Sequence, residues 1–351
     1  MKILYGVPGE GMGHATRSKV IIEHLLKKHD VRIVSSAKAF QFLEKNFPGR
    51  VTEIKGFHFA FDEKKVSKTG TFMLNLRNLP SNLNHNIRKY FFLDKIFHPD
   101  VVISDFESFS YFLAKYHRLP LISIDNMQVM NRCKREITIP AHERENARLA
   151  KAIVKAKVPA CDHYLISTFF DAEVIKSKTS IVPPIIRNEI LNAKPMYGKH
   201  VVVYQTGTVL SQLIQVFKEV PNIEFRVYGS GKDERQDNVI LKPFSEDGFL
   251  DDFAGAAAVI ANGGYSFISE AVYLRKPVLS VPLEGQYEQF MNAAYIEKLG
   301  YGRHFDTMTS DAVKAFLYDL EIFRQKLSNY NQDGNRILLD RVDEVLEEVT
   351  S

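Results

Sequence analysis

The chain has 351 residues, of which 45% are hydrophobic and 25% charged, and this ordinary globular composition excludes an intrinsically disordered protein. The net charge of +4 is too small to indicate nucleic-acid binding, and we expect no nucleic-acid partner. Two cysteines exclude a disulfide-stapled fold, and without a CxxC pair a structural zinc site is not expected. At roughly 150 residues per domain, the length indicates two domains.

The first residues form an apolar run that Gly6, Pro8 and Gly9 interrupt, too short for the core of a signal peptide. No stretch approaches the roughly 18 apolar residues that a membrane-spanning helix needs. We therefore expect a cytoplasmic protein. The mild excess of basic residues leaves open a peripheral contact with the anionic inner face of the membrane.

Short apolar strands alternate with helical patterns along the chain, which is typical of parallel α/β units. The pattern starts again near residue 200, so two α/β domains are predicted, at residues 1–181 and 200–310. Residues 182–199 contain three prolines and are interpreted as the linker. Residues 311–351 form a charged helical segment, for which packing against the first domain is one option. Strands are predicted at residues 3–7, 31–34, 101–103, 121–124, 201–204, 224–228, 239–241, 257–261 and 277–281.

A glycine-rich turn, GEGMGH, joins the first strand to the first helix at residues 9–14. It is not a dinucleotide fingerprint, because His14 replaces the third glycine and no acidic residue ends the second strand. No GxxxxGK(S/T) motif occurs, which excludes a P-loop. At the carboxyl edge of the sheet, a neutral imidazole at His14 can accept a proton near pH 7. The alternative is a capping or simply exposed histidine.

Asp105 follows the third predicted strand, at the same edge of the sheet as His14. It is therefore a candidate to orient the imidazole. A helix N-cap explains Asp105 equally well. Asp105 and Glu107 also have the form of a D-x-E metal motif, but such pairs are frequent by chance and we expect no metal.

Two loops in the second half suit a diphosphate. Residues 205–208, QTGT, form a small loop with hydroxyl groups, and Gly263 and Gly264 precede a helix whose free N–H groups would face an anion. Glu270, about one turn further, can accept hydrogen bonds from a ribose diol. Glu288 and Gln289 are an acid–amide pair of the kind that holds sugar hydroxyls. Ordinary turns and solvated helix residues are the alternatives.

Taken together, these motifs resemble glycosyltransferases of the GT-B fold. The GMGHATRS turn at residues 11–18 resembles the glycine–histidine turns of plant and antibiotic UDP-sugar glycosyltransferases and of the N-acetylglucosaminyltransferase that acts on the peptidoglycan lipid intermediate. It is most similar to a prokaryotic branch with GMGHxxRS. Residues 262–293 resemble the donor signature of these families, although Asn262 replaces a histidine of the plant enzymes and Glu288 the more frequent aspartate.

The resemblance implies two Rossmann-like, doubly wound parallel-sheet domains that face a cleft, an N-terminal acceptor-binding domain and a C-terminal nucleotide-sugar-binding domain. By this match, His14 is the general base and Asp105 orients it. The other implied site residues are Gly11, Met12, Gly13 and Arg17 in the acceptor-side turn; Gln205, Thr206, Gly207, Thr208, Asn262, Gly263, Gly264, Tyr265 and Ser266 at the donor diphosphate; Phe244 and Glu270 at the base and ribose; and Glu288 and Gln289 at the donor sugar.

The implied reaction is an inverting transfer, without metal or other cofactor, from a nucleoside-diphosphate sugar to a hydroxyl acceptor, with a UDP-sugar favoured. Basic and aromatic residues interleave at positions 55–98, and Arg132, Lys134 and Arg135 form a second basic cluster. Such a surface fits an anionic membrane beside a lipid-linked or cell-envelope acceptor, or a solvated rim over an ordinary core. Two other functions stay open, a nucleotide-sugar hydrolase or 2-epimerase and a non-catalytic nucleotide-sugar-binding protein. The sequence does not indicate an oligomeric state.

Overall fold

The computed structural model describes residues 1–9, 11–56, 61–62, 65–66, 86, 89, 91, 93, 95–205, 210–243, 245–331 and 333–351. Its strands are β1 Lys2–Gly6, β2 Asp30–Ser35, β3 Val51–Glu53, β4 Phe61–Asp62, β5 Lys65–Val66, β6 Val101–Ser104, β7 Leu121–Asp125, β8 His163–Ser167, β9 Thr179–Val182, β10 His200–Tyr204, β11 Glu224–Tyr228, β12 Glu234–Gln236, β13 Val239–Lys242, β14 Ala258–Ala261, β15 Val278–Ser280 and β16 Gly302–His304. Its α-helices are α1 Met12–Leu25, α2 Ala37–Asn46, α3 Ser108–His117, α4 Val129–Arg132, α5 Arg144–Lys157, α6 Asn188–Leu191, α7 Leu210–Lys218, α8 Glu246–Gly255, α9 Tyr265–Tyr273, α10 Tyr287–Leu299, α11 Ser310–Tyr318, α12 Leu320–Ser328 and α13 Arg336–Thr350. A short 3-10 helix spans Ala141–Glu143.

The first sheet has the strand order β3-β2-β1-β6-β7-β8-β9, and all its pairings are parallel. Strand β1 pairs on one side with β2 and on the other with β6, so Ile3 lies opposite both Val31 and Val101. These apolar residues are fully buried because helices cover both faces of the sheet. The strand order reverses between β1 and β6, and α/β proteins bind ligands beyond the carboxyl ends of such a pair.

The second sheet has the order β12-β13-β11-β10-β14-β15-β16 and is parallel except for the β12–β13 pair. Its order reverses between β10 and β14, so Gln205 and Asn262 lie directly beyond the two central strands. The predicted α/β class with two doubly wound parallel sheets is therefore what the structure has. We call residues 1–182 together with α13 the N-terminal lobe, and residues 200–328 the C-terminal lobe.

Helix α13 packs on the first sheet although it ends the chain. Leu338, Val342 and Val345 are buried in the same apolar core as β1 and β2. At the surface, Asp343 accepts hydrogen bonds from His24 Nε2 at 2.8 Å and Lys28 Nζ at 2.9 Å. The chain therefore crosses between the lobes twice. No helix in the described ranges is long and apolar enough to cross a bilayer.

Candidate active site

A cavity of about 1730 Å³ lies between the two lobes. The N-terminal lobe contributes the turn at residues 11–14 together with α3 and α5, and the C-terminal lobe contributes the start of α9 and residues 285–288. Single small-molecule pockets usually have roughly 300–1,000 Å³. The cavity therefore has room for two ligands side by side.

His14 lies in the first turn of α1, on the wall of this cavity. The helix begins after Gly11, whose φ of 79° is a conformation that favours glycine. His14 Nδ1 lies 3.0 Å from Oδ1 of Asp105, which follows β6. When Nδ1 donates its proton to this carboxylate, Nε2 is left as the acceptor. The structure thus brings together the two residues for which sequence predicts a base and its partner.

Asp105 is almost completely buried and is held by four groups. Arg17 donates from Nε to Oδ2 at 3.0 Å and from Nη2 to Oδ1, and Ser18 Oγ donates to Oδ2 at 2.9 Å. Burial alone would raise the pKa of Asp105, but the charges of Arg17 and His14 and their hydrogen bonds hold that pKa well below its usual range. Asp105 is therefore a carboxylate at neutral pH.

Arg17, one of the predicted acceptor-side residues, makes internal contacts. The resemblance put it in the acceptor-side turn, together with Gly11, Met12 and Gly13, and all four residues line the cavity. The guanidinium of Arg17 is buried and contacts Asp105 rather than being open to a ligand. Its Nη2 also lies 2.8 Å from His14 Nδ1, so Arg17 contacts the imidazole as well as the carboxylate.

The start of α9 contacts the His14 turn, and both line the cavity. Gly264 is its N-cap and provides no side-chain cap, and Ser266 Oγ donates to the carbonyl of Gly13 at 3.2 Å. Gly263 has a φ of 104°, and a Cβ atom there would lie 2.7 Å from the carbonyl oxygen of Gln289. Free backbone N–H groups at a helix start attract anions. The helix start and the imidazole therefore share one cavity.

Three predicted donor residues use their side chains to hold the protein together. Tyr265 lines the cavity, but its hydroxyl is 2.6 Å from Ser167 Oγ of the other lobe. Gln289 Oε1 accepts from the backbone N–H of Leu283 at 2.9 Å, and Asn262 Nδ2 donates to the carbonyl of Val281. Neither Gln289 nor Asn262 is among the described residues that line the cavity.

Gln205 is 8% exposed, and neither its Nε2 nor its Oε1 has a hydrogen-bond partner in the part of the chain that the structure describes. Buried amides are normally paired, so this side chain is a candidate ligand contact, but Gln205 is not among the described residues that line the cavity; its neighbour Tyr204 is. The neighbouring predicted residues Thr206, Gly207 and Thr208, as well as Phe244, lie outside the described residues.

Glu270, predicted to hold the ribose, is paired with an arginine of the linker. Its two oxygens accept hydrogen bonds from Arg187 Nε at 2.6 Å and Nη2 at 2.8 Å. Burial raises the pKa of Glu270, and the charge and hydrogen bonds of Arg187 oppose this shift. Both residues line the cavity, so a ribose would meet an ion pair rather than a free carboxylate. Sequence analysis missed Arg187 because a single arginine in a linker carries no pattern.

The part of the cavity formed by α3 and α5 is mainly aromatic and aliphatic. Phe112 and Tyr116 of α3 are 67% and 77% exposed at its mouth, beside Leu149 and Ile153 of α5. Deeper in the cavity, Lys157 lies 4.3 Å from the ring centroid of Phe106, and burial lowers the pKa of its ammonium group. Most of the basic and aromatic segment at residues 55–98 lies outside the described residues.

The second predicted basic cluster is largely committed to internal contacts. Arg132 donates to Thr179 Oγ1 at 2.7 Å, and its guanidinium lies 3.8 Å from the ring centroid of Tyr164. Lys134 pairs with Glu173 at 2.7 Å. Arg135 is the member of this cluster for which the described residues show neither a hydrogen bond nor an ion pair.

The D-x-E pair does not form a joint site. Glu107 caps α3, since its two oxygens accept from the N–H groups of Phe109 and Ser110 at 2.7 Å each. Asp105 is held by Arg17 instead. Within the described ranges, no three His, Cys, Asp or Glu side chains are grouped as metal ligands.

Comparison with protein families identifies one that spans most of the chain. A family model described as "Glycosyl transferase family 1" matches residues 1–321. An uncharacterised glycosyltransferase of Methanosarcina acetivorans is 26% identical over 348 residues, which cover 89% of this chain and 88% of the relative. An uncharacterised glycosyltransferase of Methanosarcina mazei is 27% identical over 345 residues, with the same coverage.

Solved structures of similar fold cover both lobes. The calicheamicin glycosyltransferase CalG4 superposes with a TM-score of 0.68 at 15% identity, over 100% of this chain and 99% of that chain. The glycotransferase of kitacinnamycin gives 0.67 at 16% identity, over 99% of each chain. Phytolacca americana UGT2, complexed with UDP-2fluoro-glucose and pterostilbene, gives 0.67 at 15% identity, over 99% and 98%. These similarities confirm the predicted GT-B fold.

Proposed function

This chain belongs to glycosyl transferase family 1, and from that premise we propose that it is an inverting, metal-independent enzyme that moves a sugar from a nucleoside-diphosphate donor, with a UDP-sugar favoured, to a hydroxyl acceptor. The observation that carries the proposal is the 3.0 Å contact of His14 with buried Asp105, on the wall of a cavity that the uncapped start of α9 also faces. A proton acceptor and an anion site thus face one cavity from opposite lobes.

His14 Nε2 takes the proton of the acceptor hydroxyl while the hydroxyl oxygen attacks the anomeric carbon of the donor sugar. The bond from that carbon to the diphosphate oxygen breaks on the opposite side, so the configuration inverts. Asp105 fixes the Nδ1–H tautomer and stabilises the imidazolium that forms, because it is ionised and cannot leave its contacts with Arg17 and Ser18.

The leaving diphosphate carries the growing negative charge. Backbone N–H groups of Gly264, Tyr265 and Ser266 at the start of α9 are the proposed donors to it, and Gln205 adds an amide that has no described partner. Because fixed N–H dipoles meet this charge, the proposal needs no metal at the diphosphate. Two structural neighbours were solved with UDP-2fluoro-glucose and with thymidine diphosphate, which supports a nucleotide donor and leaves its base open.

Glu288 is the proposed contact for the donor sugar, because it lines the cavity in the first turn of α10. Gln289 supports the same loop through its bond to Leu283. Arg187 and Glu270 form an ion pair on the cavity wall, and we propose that both contact the ribose. Arg187 can donate to ribose oxygens while Glu270 accepts from ribose hydroxyls.

The acceptor is proposed to be hydrophobic, either lipid-linked or part of the cell envelope, and the protein to contact the inner face of the membrane. The exposed side chains of Phe112, Tyr116, Leu149 and Ile153 surround the mouth of the cavity, and α5 adds exposed lysines beside them. Apolar side chains rimmed by cations bind anionic lipid surfaces.

Vesicle flotation tests the membrane contact. The protein should float with vesicles that contain phosphatidylglycerol, less so at high salt, and the Phe112→Ser/Leu149→Ser variant should stay at the bottom. Tyr318→Ser is the matched control, because Tyr318 is 89% exposed on the C-terminal lobe, away from the cavity mouth. Equal flotation of all three proteins would contradict the proposed surface.

A panel of UDP, GDP, dTDP and their sugars tests the donor site. Ligands that bind the folded state raise the melting temperature, by an amount that depends on concentration over Kd. We expect the UDP compounds to give the largest shifts, and donor consumption to depend on an added hydroxyl compound. If no nucleotide changes the melting temperature, the proposed function is wrong.

The same assay separates the two other functions. A hydrolase would release free sugar from the donor at full rate without acceptor, with water in the place of the hydroxyl, and an epimerase would change the sugar configuration. Bound nucleotide with no turnover towards any acceptor would identify a binding protein.

A further inference from the structure

A continuous chain of hydrogen bonds joins His14 to Glu288 across the two lobes. His14 contacts Asp105 at 3.0 Å, and Asp105 accepts from Arg17 Nε at 3.0 Å. Arg17 Nη1 donates to Asn126 Oδ1 at 2.7 Å, and Asn126 Nδ2 donates to Glu288 Oε1 at 2.7 Å. The first four residues belong to the N-terminal lobe and Glu288 to the C-terminal lobe. The proposed base and the proposed sugar-binding carboxylate are therefore linked by three side chains.

Within this series of hydrogen bonds, Asn126 contacts a partner in its own lobe, Arg17, and a partner in the opposite lobe, Glu288. It follows β7 directly and is 2% exposed. Its amide has one possible orientation, because a flip would place Nδ2–H against the Arg17 guanidinium and Oδ1 against the Glu288 carboxylate. Asn126 bonds to Arg17 at one end of its amide and to Glu288 at the other, so a flip that breaks either hydrogen bond is unfavourable in free energy. The orientation of Asn126 is thus fixed by the two charges.

Glu288 is only half engaged by this contact. Its Oε1 accepts from Asn126, and its Oε2 has no hydrogen-bond partner within the described ranges. The carboxylate is therefore held in one rotamer with one oxygen left for a ligand. The contact exists only when the lobes are together, since Asn126 and Glu288 come from different lobes.

We propose that Asn126 is a positioning residue that presents Glu288 to the donor sugar and couples this to the base through Arg17 and Asp105. The inference rests on the proposed donor site. Its consequence is selective: Asn126 contributes to the affinity for the sugar part of the donor and not to the affinity for the nucleoside diphosphate. A contact that merely held the lobes together would affect both affinities alike.

The Asn126→Asp variant tests this most sharply. Asp keeps the size of the side chain and an acceptor for Arg17, so the N-terminal lobe retains its contacts, but it repels Glu288. Titration calorimetry with UDP and with UDP-glucose, or with the diphosphate and sugar conjugate that give the largest thermal shift, measures the two affinities. We expect the Kd of the sugar conjugate to rise about 10- to 100-fold, and that of the diphosphate to change less than about 3-fold.

A double variant restores the contact between residues 126 and 288 with hydrogen-bond donor and acceptor exchanged. In Asn126→Asp/Glu288→Gln, the Gln amide donates to the new carboxylate, so affinity for the sugar conjugate should recover relative to Asn126→Asp alone. Ser167→Ala is the control for lobe closure, because it removes the 2.6 Å bond to Tyr265 and leaves the chain from His14 to Glu288 intact. It should change both Kd values by the same factor.

The outcomes distinguish the inference from the function on which it rests. If the wild-type protein binds no nucleotide, the proposed function falls and the inference with it. If the wild type binds, but Asn126→Asp weakens the diphosphate and its sugar conjugate equally, only the inference is wrong. The double variant is compared with Glu288→Gln alone, which also lacks the Glu288 carboxylate. A ratio of sugar-conjugate affinity to UDP affinity that is the same in Asn126→Asp and in wild type would likewise overturn the inference. Asn126→Ser provides the same comparison should Asn126→Asp fail to fold.

Discussion

The two walls of the cleft differ in how well their polar groups are paired. On the N-terminal wall, His14, Arg17 and Ser18 all bond to Asp105. On the C-terminal wall, α9 starts without a side-chain cap. In the same lobe, both amide atoms of Gln205 and one of Asn292 lack a partner in the described part of the chain, and these two residues are not among the described ones that line the cavity. One wall is thus complete without a ligand, and the other presents donors that a ligand would satisfy.

This difference follows from the work proposed for each wall. A general base needs a fixed geometry and a fixed tautomer before the substrate arrives, which internal hydrogen bonds provide. An anion site needs free N–H groups, which would be lost to internal partners if the protein satisfied them. Substitutions on the two sides should therefore differ in their effects on turnover, stability and nucleotide affinity.

The largest effect, on the rate of donor consumption, is expected from a substitution on the N-terminal wall. His14→Ala removes the general base and should lower the rate of donor consumption by about 10²- to 10⁴-fold, while nucleotide affinity, which depends on the other wall, stays nearly unchanged. Turnover and calorimetry measure the two separately. His142→Ala, an exposed histidine of the same lobe, is the control. Unchanged turnover in His14→Ala would show that this residue is not the base.

Asp105→Asn should lower the free energy of unfolding by about 3–5 kcal/mol at neutral pH, because it leaves the buried charge of Arg17 without its partner. The pH dependence has a definite sign. The pKa of Asp105 is lower in the folded than in the unfolded protein, so its stabilisation is complete above the unfolded value of 3.8 and decreases as the pH falls below it.

Urea unfolding at several pH values checks this expectation. The difference between wild type and Asp105→Asn should be constant near neutrality and shrink in acid. A difference that grows as the pH falls would mean that Asp105 is not the ionised partner of Arg17. Ser18→Ala, which removes one neutral donor to Asp105, should cost only about 0.5–1.5 kcal/mol.

A smaller effect, on nucleotide affinity, is expected from a substitution in the C-terminal lobe. Gln205→Leu replaces a buried, unpartnered amide by an apolar side chain, so the melting temperature of the free protein should stay the same or rise. Nucleoside-diphosphate affinity should fall about 10-fold, because the amide no longer reaches the ligand. Thermal shift with and without UDP measures both. A lower melting temperature of the free protein with unchanged UDP affinity would assign Gln205 to the fold rather than to the donor.

Sequence alone predicts residues at the carboxyl ends of strands. Asp105 and Gln205 directly follow strands of the two sheets, and His14 lies in the first turn of the helix that comes after β1. Strands β3, β4, β5, β8, β9, β12 and β16 were not predicted. Two of them, β8 and β16, have the sequences HYLIS and GRH, which begin or end with polar residues and show no period.

The pairings between distant residues could not be predicted. Glu270 meets Arg187 over 83 positions, and Asn126 meets Glu288 over 162 positions and across the cleft. Such contacts depend on how far apart the lobes stand, which no local pattern encodes. For the same reason the buried contact of Arg17 with Asp105 became visible only in the structure.

Because α13 returns to the first sheet, two segments of the chain connect the lobes. Asn335, in the second crossing, donates from Nδ2 to the carbonyl of Ile186 at 2.7 Å and accepts from its N–H at 2.9 Å, which fastens this crossing to the first one. Arg187, which pairs with Glu270 on the cavity wall, follows Ile186 directly. The fastening of the two crossings therefore also holds the backbone from which this ion pair is built, so a substitution at Asn335 should disturb the cavity wall although Asn335 itself does not line it.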